Sequence, residues 1–214
     1  MKVGSQNYQY DTNGNLIFDG NESFIFNDFN QLEEIKDVNG STIVRFTYDE
    51  EGKRISKKTS EGTILYYYDR DRVLYETDSE NKVLREYTYD DKGHPLTLTK
   101  NGNTYYYLFN YRGDVIALTD LNGNVVASYS YDAWGNILTQ SGSMATENPY
   151  RYAGYRYDEN TKLYYLMARY YNPDKGVFLT HDPVRGELDN PITLNGYNYA
   201  NNNPVMNIDP SGMI

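Results

Sequence analysis

Cysteine is absent from the 214 residues, tryptophan occurs once and histidine twice. Without cysteine there is no disulfide framework and no thiolate zinc site. Two imidazoles, His94 and His181, are too few for a histidine-rich metal centre, and both read as surface residues. No metal and no cofactor is expected. No apolar run approaches the roughly 20 residues that a bilayer-crossing helix needs. The opening Met1-Lys2-Val3-Gly4-Ser5-Gln6-Asn7 lacks the apolar segment of a secretory signal. Basic residues are in the minority, 20 Lys and Arg against 30 Asp and Glu for a net charge of −10. They are scattered, with no stripe to neutralise phosphates, so nucleic acid is not expected as a direct partner. The Gly-x-Ser-x-Gly elbow of serine hydrolases does not occur. Leu, Ile, Val and Phe together make only about a fifth of the chain, close to the level at which highly charged chains stay disordered.

Tyrosine fills that gap. The 25 tyrosines can each bury a large apolar face while the hydroxyl keeps a hydrogen bond at its edge, so the expected core is aromatic and amphipathic. They recur in one phrase, two aromatics at i and i+2 followed by a polar residue and then Asn or Gly. The copies are Tyr8-Gln9-Tyr10-Asp11, Phe46-Thr47-Tyr48-Asp49, Tyr87-Thr88-Tyr89-Asp90 and Tyr129-Ser130-Tyr131-Asp132, with weaker ones at Phe24-Ile25-Phe26-Asn27, Tyr66-Tyr67-Tyr68-Asp69 and Tyr105-Tyr106-Tyr107-Leu108. Alternation with period 2 puts Tyr87 and Tyr89 on one face of a strand and Thr88 on the other. Asp90-Asp91-Lys92-Gly93 then reads as a tight turn, the Asp bonding its own downstream backbone and the Gly taking a positive φ. Asn39-Gly40, Asn101-Gly102 and Asn122-Gly123 are the dipeptides of two-residue hairpin turns with both central residues at φ > 0. The expectation is a string of hairpins, each stacked on the next because one alone is marginal in water. Its uncovered terminal strands would invite self-association.

After Trp134 the period loosens, and residues 140–149 have the composition of a loop. Beyond it come Tyr150-Arg151-Tyr152-Ala153-Gly154-Tyr155-Arg156-Tyr157-Asp158, Leu163-Tyr164-Tyr165-Leu166-Met167-Ala168-Arg169-Tyr170-Tyr171-Asn172-Pro173, Gly176-Val177-Phe178-Leu179-Thr180-His181-Asp182-Pro183 and the closing Asp209-Pro210-Ser211-Gly212-Met213-Ile214. This text resembles the core segment of the Rhs/YD-repeat proteins, which include bacterial polymorphic toxins, insecticidal toxin-complex components and Gram-positive wall-associated proteins. The resemblance is moderate over residues 8–139 and strong from Tyr150 to Gly212. It implies an all-β fold in which YD-repeat hairpins stack into a long curved sheet, part of a β-shell. Residues 1–139 would be the hairpin strip, and residues 140–214 the Rhs-associated core, within one continuous architecture. The implied role is structural: to encapsulate or present a C-terminal toxic segment within a longer secreted or wall-associated protein. The partners would be that toxic segment or further YD repeats.

Some members of that family cut themselves just after the Asp-Pro-x-Gly motif with a pair of aspartates. The matching residues here are Asp182 and Asp209, with Arg169 as a possible support and the bond between Met213 and Ile214 as the cleavage site. Two carboxylates brought close cannot both ionise cheaply, so one can act as acid while the other activates water. Met213 stands where the family usually has leucine, and the Arg185-Gly186-Glu187-Leu188-Asp189 stretch lengthens the segment between the two aspartates. Each Asp-Pro pair also reads simply as a turn, and the Arg169 stem could pack on a tyrosine. An enzymatic role would be at most that of an aspartyl autoprotease acting on its own C-terminus. The alternative function is a cell-surface adhesin whose tyrosines stack carbohydrate or wall polymer.

Overall fold

The computed structural model describes residues 2–3, 6–184, 186, 189 and 191–213. A short hairpin, β1 (Lys2–Val3) with β2 (Gln6–Asn7), precedes fourteen strands that follow one another in a single antiparallel sheet, in chain order. These are β3 (Gln9–Tyr10), β4 (Leu16–Phe18), β5 (Ser23–Phe26), β6 (Leu32–Lys36), β7 (Thr42–Tyr48), β8 (Arg54–Thr59), β9 (Gly62–Asp69), β10 (Arg72–Thr77), β11 (Val83–Tyr89), β12 (Pro95–Lys100), β13 (Asn103–Phe109), β14 (Val115–Thr119), β15 (Val125–Tyr131) and β16 (Ile137–Ser141). The C-terminal stretch adds β17 (Arg156–Asp158), β18 (Leu163–Leu166), β19 (Arg169–Asn172) and β20 (Val177–Phe178), with short 3-10 turns between.

One turn design repeats along the strip. In the turn opened by Asp90, the Gly93 amide donates to the Asp90 carbonyl and the Asp90 amide to the His94 carbonyl. The Asp90 carboxylate accepts the amides of Lys92 and His94 at 2.9 and 2.8 Å. The same bonds recur at Asp37, Asp49, Asp78, Asp120 and Asp132, and with asparagine as the opener at Asn27 and Asn110. The fourth residue of each takes a positive φ, as Gly, or as Asn30 and Asn81. This corrects two of the three expected Asn-Gly turns. Only Asn101-Gly102 has both residues at positive φ. At Asn39-Gly40 and Asn122-Gly123 the glycine alone does, because Asp37 and Asp120 capture the preceding amides and make each a three-residue loop with a bulge.

The chain forms two compact units. One joins the stretch through Thr63 to the stretch from Asn160 onward, and the other is Ile64–Glu159. In the first, the inward residues of β4 to β7 (Leu16, Phe24, Leu32, Ile35, Val44 and Phe46) pack against Leu163, Tyr165, Tyr170 and Leu179. Arg54 is buried there too, its guanidinium 4.6 Å from the Tyr165 ring centre and 4.9 Å from that of Phe46. In the second, Tyr66, Tyr87, Tyr107 and Tyr129 point inward with Val73, Leu98, Val115, Leu118 and Ala127, and Met144, Ala145 and Tyr150 close over them. Thr88 is exposed while Tyr87 is buried, as the alternation requires. Tyrosine suits this core because the ring buries while the hydroxyl still finds a partner. Tyr48, Tyr89 and Tyr131 each donate to the carbonyl sixteen residues earlier, on Leu32, Val73 and Val115. Each fully buried Val, Leu, Ile or Phe side chain of these two cores contributes about 1.5–3 kcal/mol by leaving water. On the outward face, hydroxyls pair across strands: Thr47 with Ser56, Thr88 with Thr97, and Ser130 with Thr139.

Candidate functional site

The two aspartates singled out in the sequence converge on Arg169. Strands β18 and β19 are joined by a tight turn in which Met167 has φ 59° and the Ala168 amide reaches the Leu166 carbonyl at 2.7 Å. Leu163, Tyr165 and Tyr170 lie on the face that joins the hydrophobic core of this unit. Tyr164 and Tyr171 face the other way and stack with each other, and Phe178 and Tyr199 pack on Tyr171. Arg169 sits on this aromatic floor, its guanidinium carbon 3.7 Å from the centre of the Phe178 ring. The ring beneath the charged head is thus a phenylalanine, and the head also pairs with carboxylates.

Its donors reach four partners. Nη2 approaches Asp182 Oδ2 at 2.7 Å and Asp209 Oδ2 at 3.5 Å. Nη1 donates to the Gly196 carbonyl at 3.1 Å, and Nε donates to the Gly212 carbonyl. The Gly196 carbonyl also accepts the Asp182 amide at 2.8 Å. Asp209 is fully buried, and its second oxygen accepts the amides of Gly212 at 2.9 Å and Met213 at 3.1 Å. Asp182 accepts the Val184 amide at 2.8 Å and keeps a partly open side chain. Both aspartates are thus turn residues and neighbours at once. Gly212 has φ +74°, and a Cβ there would meet the Leu166 carbonyl oxygen at 2.7 Å, so only glycine lets the closing segment lie this close.

Electrostatically the site holds two carboxylates around one guanidinium. Burial lowers the proton affinity of Arg169, while Asp182 and Asp209 oppose that effect; arginine stays charged at physiological pH in any case. The arrangement holds the Met213 amide on one of two carboxylates that share Arg169. Met213 is half-exposed and its amide is fixed on Asp209. Ile214, the far side of the expected cleavage site, lies outside the described residues, as do Arg185, Glu187 and Leu188 of the lengthening stretch. His181 is exposed, its ring nitrogen 3.0 Å from the Asp182 carbonyl oxygen, and His94 is exposed and pairs with Asp90 at 2.9 Å. Among the described residues there is no cluster of three or more metal-binding side chains, and no helix is long and apolar enough to cross a membrane. Sequence reasoning missed the part played by the Gly196 carbonyl and by the Phe178 ring. The Asn195-Gly196 dipeptide, which brings a backbone carbonyl close, was the available signal.

The model of the Teneurin YD-shell family matches residues 1–205. The tRNA3(Ser)-specific nuclease WapA of Bacillus spizizenii is 47% identical over 215 residues, spanning 99% of this chain and 9% of that protein. The tRNA nuclease WapA of Bacillus subtilis is 46% identical with the same coverage. Salivary gland surface protein 1 of Aedes aegypti is 33% identical over 86% of this chain and 6% of its own length. Among solved structures, the TcdB2-TccC3-Cdc42 crystal structure matches 95% of this chain and 11% of that one, with a TM-score of 0.75 at 22% identity. TcdB2-TccC3 without its hypervariable C-terminal region matches with a TM-score of 0.63. The chain therefore spans about a tenth or less of the length of each of these proteins.

Proposed function

The chain belongs to the YD-shell family, and from that premise we propose that it is the closing stretch of a toxin-carrying shell that severs its own C-terminal bond. Residues 1–139 supply wall, residues 140–214 supply the core that seals it, and a C-terminal toxic segment is the cargo. The nucleases among the relatives make a tRNA-cleaving segment a reasonable cargo, carried by a secreted or wall-associated protein. This chain, at net charge −10, would hold such an enzyme and not its RNA. Further YD hairpins, or a second copy of the strip, would add at the terminal strands β3 and β16.

The observation that carries the self-cleavage reading is the sharing of Arg169 by Asp182 and Asp209 while Asp209 holds the Met213 amide. In the step proposed, Asp182, the more open carboxylate, takes a proton from water. The water oxygen bonds to the Met213 carbonyl carbon, the bond to the Ile214 nitrogen breaks, and the departing amine receives the proton that Asp182 took from the water. Arg169 keeps the two carboxylates and the Gly212 carbonyl in place. Intact-mass spectrometry of the wild-type chain and of Asp182→Asn and Asp209→Asn tests it. Loss of one isoleucine from the wild type alone supports the reading. An uncut wild type, or equal loss in all three, removes self-cleavage and leaves the carrier role standing on the family alone.

A second reading, a module that stacks carbohydrate, rests on Tyr67 and Tyr75, which lie parallel at 4.5 Å on adjacent strands, with Tyr75 exposed. Binding on a glycan array that Tyr75→Ala abolishes would support it, and silence on the array would remove it.

A further inference from the structure

The strip can be aligned with itself through the hydrogen bonds from Tyr48, Tyr89 and Tyr131 to Leu32, Val73 and Val115. Three residues past those carbonyls the inner face carries Ile35, Glu76 and Leu118. Directly across, on the following strand, stand Val44, Arg85 and Ala127. Ile35, Val44, Leu118 and Ala127 have no exposure at all, and Glu76 has 1%. One hairpin pair therefore carries a glutamate and an arginine at a register the other two fill with aliphatic side chains.

Burying either ion alone is strongly unfavourable, so the pair persists only where its remaining bonding capacity is met. The stretch Glu147–Arg156 meets it. Glu76 Oε2 receives Arg85 at 2.8 Å, while Oε1 receives the Tyr87 hydroxyl at 2.9 Å and Nη2 of Arg156. The other donors of Arg85 reach the carboxylate and the backbone carbonyl of Glu147, both at 2.8 Å. Lys100 pairs with Glu147 as well. Arg156 also donates to the Tyr150 hydroxyl at 3.2 Å, and its guanidinium lies 5.1 Å from the ring centres of both Tyr66 and Tyr150. The Tyr150 hydroxyl is 2.7 Å from that of Tyr89.

Apolar contact alone would not tell one hairpin from the next, since Tyr66, Tyr87, Tyr107 and Tyr129 offer similar inward surfaces. A slip of the 147–156 stretch by one hairpin would keep much of that contact, yet it would leave Arg156 buried without a counter-charge and take Arg156 and Glu147 away from the Glu76–Arg85 pair. We infer that Glu76 and Arg85 form an address on the strip, an interaction surface that selects the one hairpin against which the Arg156-bearing stretch docks. The selection works by penalising every other register, as a desolvated charge penalises the wrong partner.

Hydrogen exchange on the full chain reads docking separately from the strip. In Arg156→Met, Glu76 keeps Arg85 and Tyr87, so amides of β11 to β14 should exchange as in the wild type. Those of residues 147–157 should exchange faster by roughly tenfold or more. A second variant, Glu76→Leu/Arg85→Ala/Arg156→Met, takes its strip residues from the Leu118 and Ala127 positions. It should fold with the strip protected and residues 147–157 still loosened. Wild-type protection of residues 147–157 in either variant overturns the inference, because apolar packing would then suffice to place the stretch. Loss of protection along the whole strip in Arg156→Met overturns it too, because the cluster would then serve general stability instead of placement.

Discussion

Glu22 and Glu76 are held in opposite ways. Burial pushes the half-buried Glu22 up to about 7, with neighbouring Asp19 adding to it. Burial pushes Glu76 up as well, but Arg156 and Arg85, helped by the Tyr87 hydroxyl, more than cancel this and hold it down to about 2. The folded state thus prefers Glu22 protonated: its contribution to stability is present below the ordinary value of 4.5 and is lost as pH rises through about 7. At pH 8 the ionised Glu22 costs on the order of 1 kcal/mol once its partial exposure is discounted. Glu22→Gln should therefore raise stability at pH 8 by about that amount, a gain of roughly 2–4 °C in Tm, and should change little at pH 4. The backbone bond from residue 22 to Asp19 survives the substitution. Thermal unfolding at the two pH values checks this, and an equal effect at both would show that Glu22 is not the cause.

At the scale of single elements, the turns make two glycines comparable. Gly123 and Gly135 both take positive φ, 82° and 89°, at the fourth position of the same turn. A Cβ on Gly123 meets open space, whereas on Gly135 it falls 2.7 Å from the Tyr152 ring. The strip itself uses asparagine at this position, as Asn30 and Asn81. Gly123→Asn should lie within about 0.5 kcal/mol of wild type, and Gly123→Ala should cost about 1 kcal/mol. Gly135→Asn should cost clearly more than Gly123→Asn, roughly 2 kcal/mol further, because Tyr152 must move. Urea unfolding of the three variants measures this, and equal losses for the two asparagine variants would contradict the packing argument. The elements were readable in the sequence for a related reason. An aromatic pair and the Asp or Asn that ends it lie within a few residues of each other, and so do the amides that residue captures. The aspartates around Arg169 were readable from the motifs that contain them. The partners of Arg54 and Glu76 were not, because Tyr165 and Tyr170 lie 111 and 116 residues from Arg54, and Arg156 lies 80 from Glu76. A charged residue on an inward strand position looks like a break in the pattern until the distant residue that neutralises it is in place.

At the scale of the whole molecule these local effects sit on a net charge of −10. Self-repulsion among the surplus acids opposes the compact state at neutral pH, and salt weakens it, the screening length falling from about 30 Å at 0.01 M to about 8 Å at 0.15 M. The buried Glu76 cluster lies beyond the reach of that screening. Lowering the pH from 7 towards 4.5 relieves the repulsion and protonates Glu22 in the folded state, and both changes favour folding. Lowering it further works against Glu76. Its depressed value means that its contribution is fully present above about 4.5 and is lost as pH falls through about 2, where Arg85 and Arg156 lose the Glu76 charge. Tm should therefore peak near pH 5, fall steeply below pH 4, and at pH 7 rise by a few degrees between 0.01 and 0.5 M sodium chloride. The sequence pI of about 4.7 places the peak close to the solubility minimum, so the scan belongs at low protein concentration. In Glu76→Gln the acid limb should be shallower between pH 4.5 and 2, on a lower stability throughout, because the two arginines are then underpaired at every pH. A Tm at pH 7 that ignores salt would remove the repulsion argument. An unchanged acid limb in Glu76→Gln would move the origin of acid unfolding away from the Arg85 and Arg156 pairings and onto the exposed carboxylates.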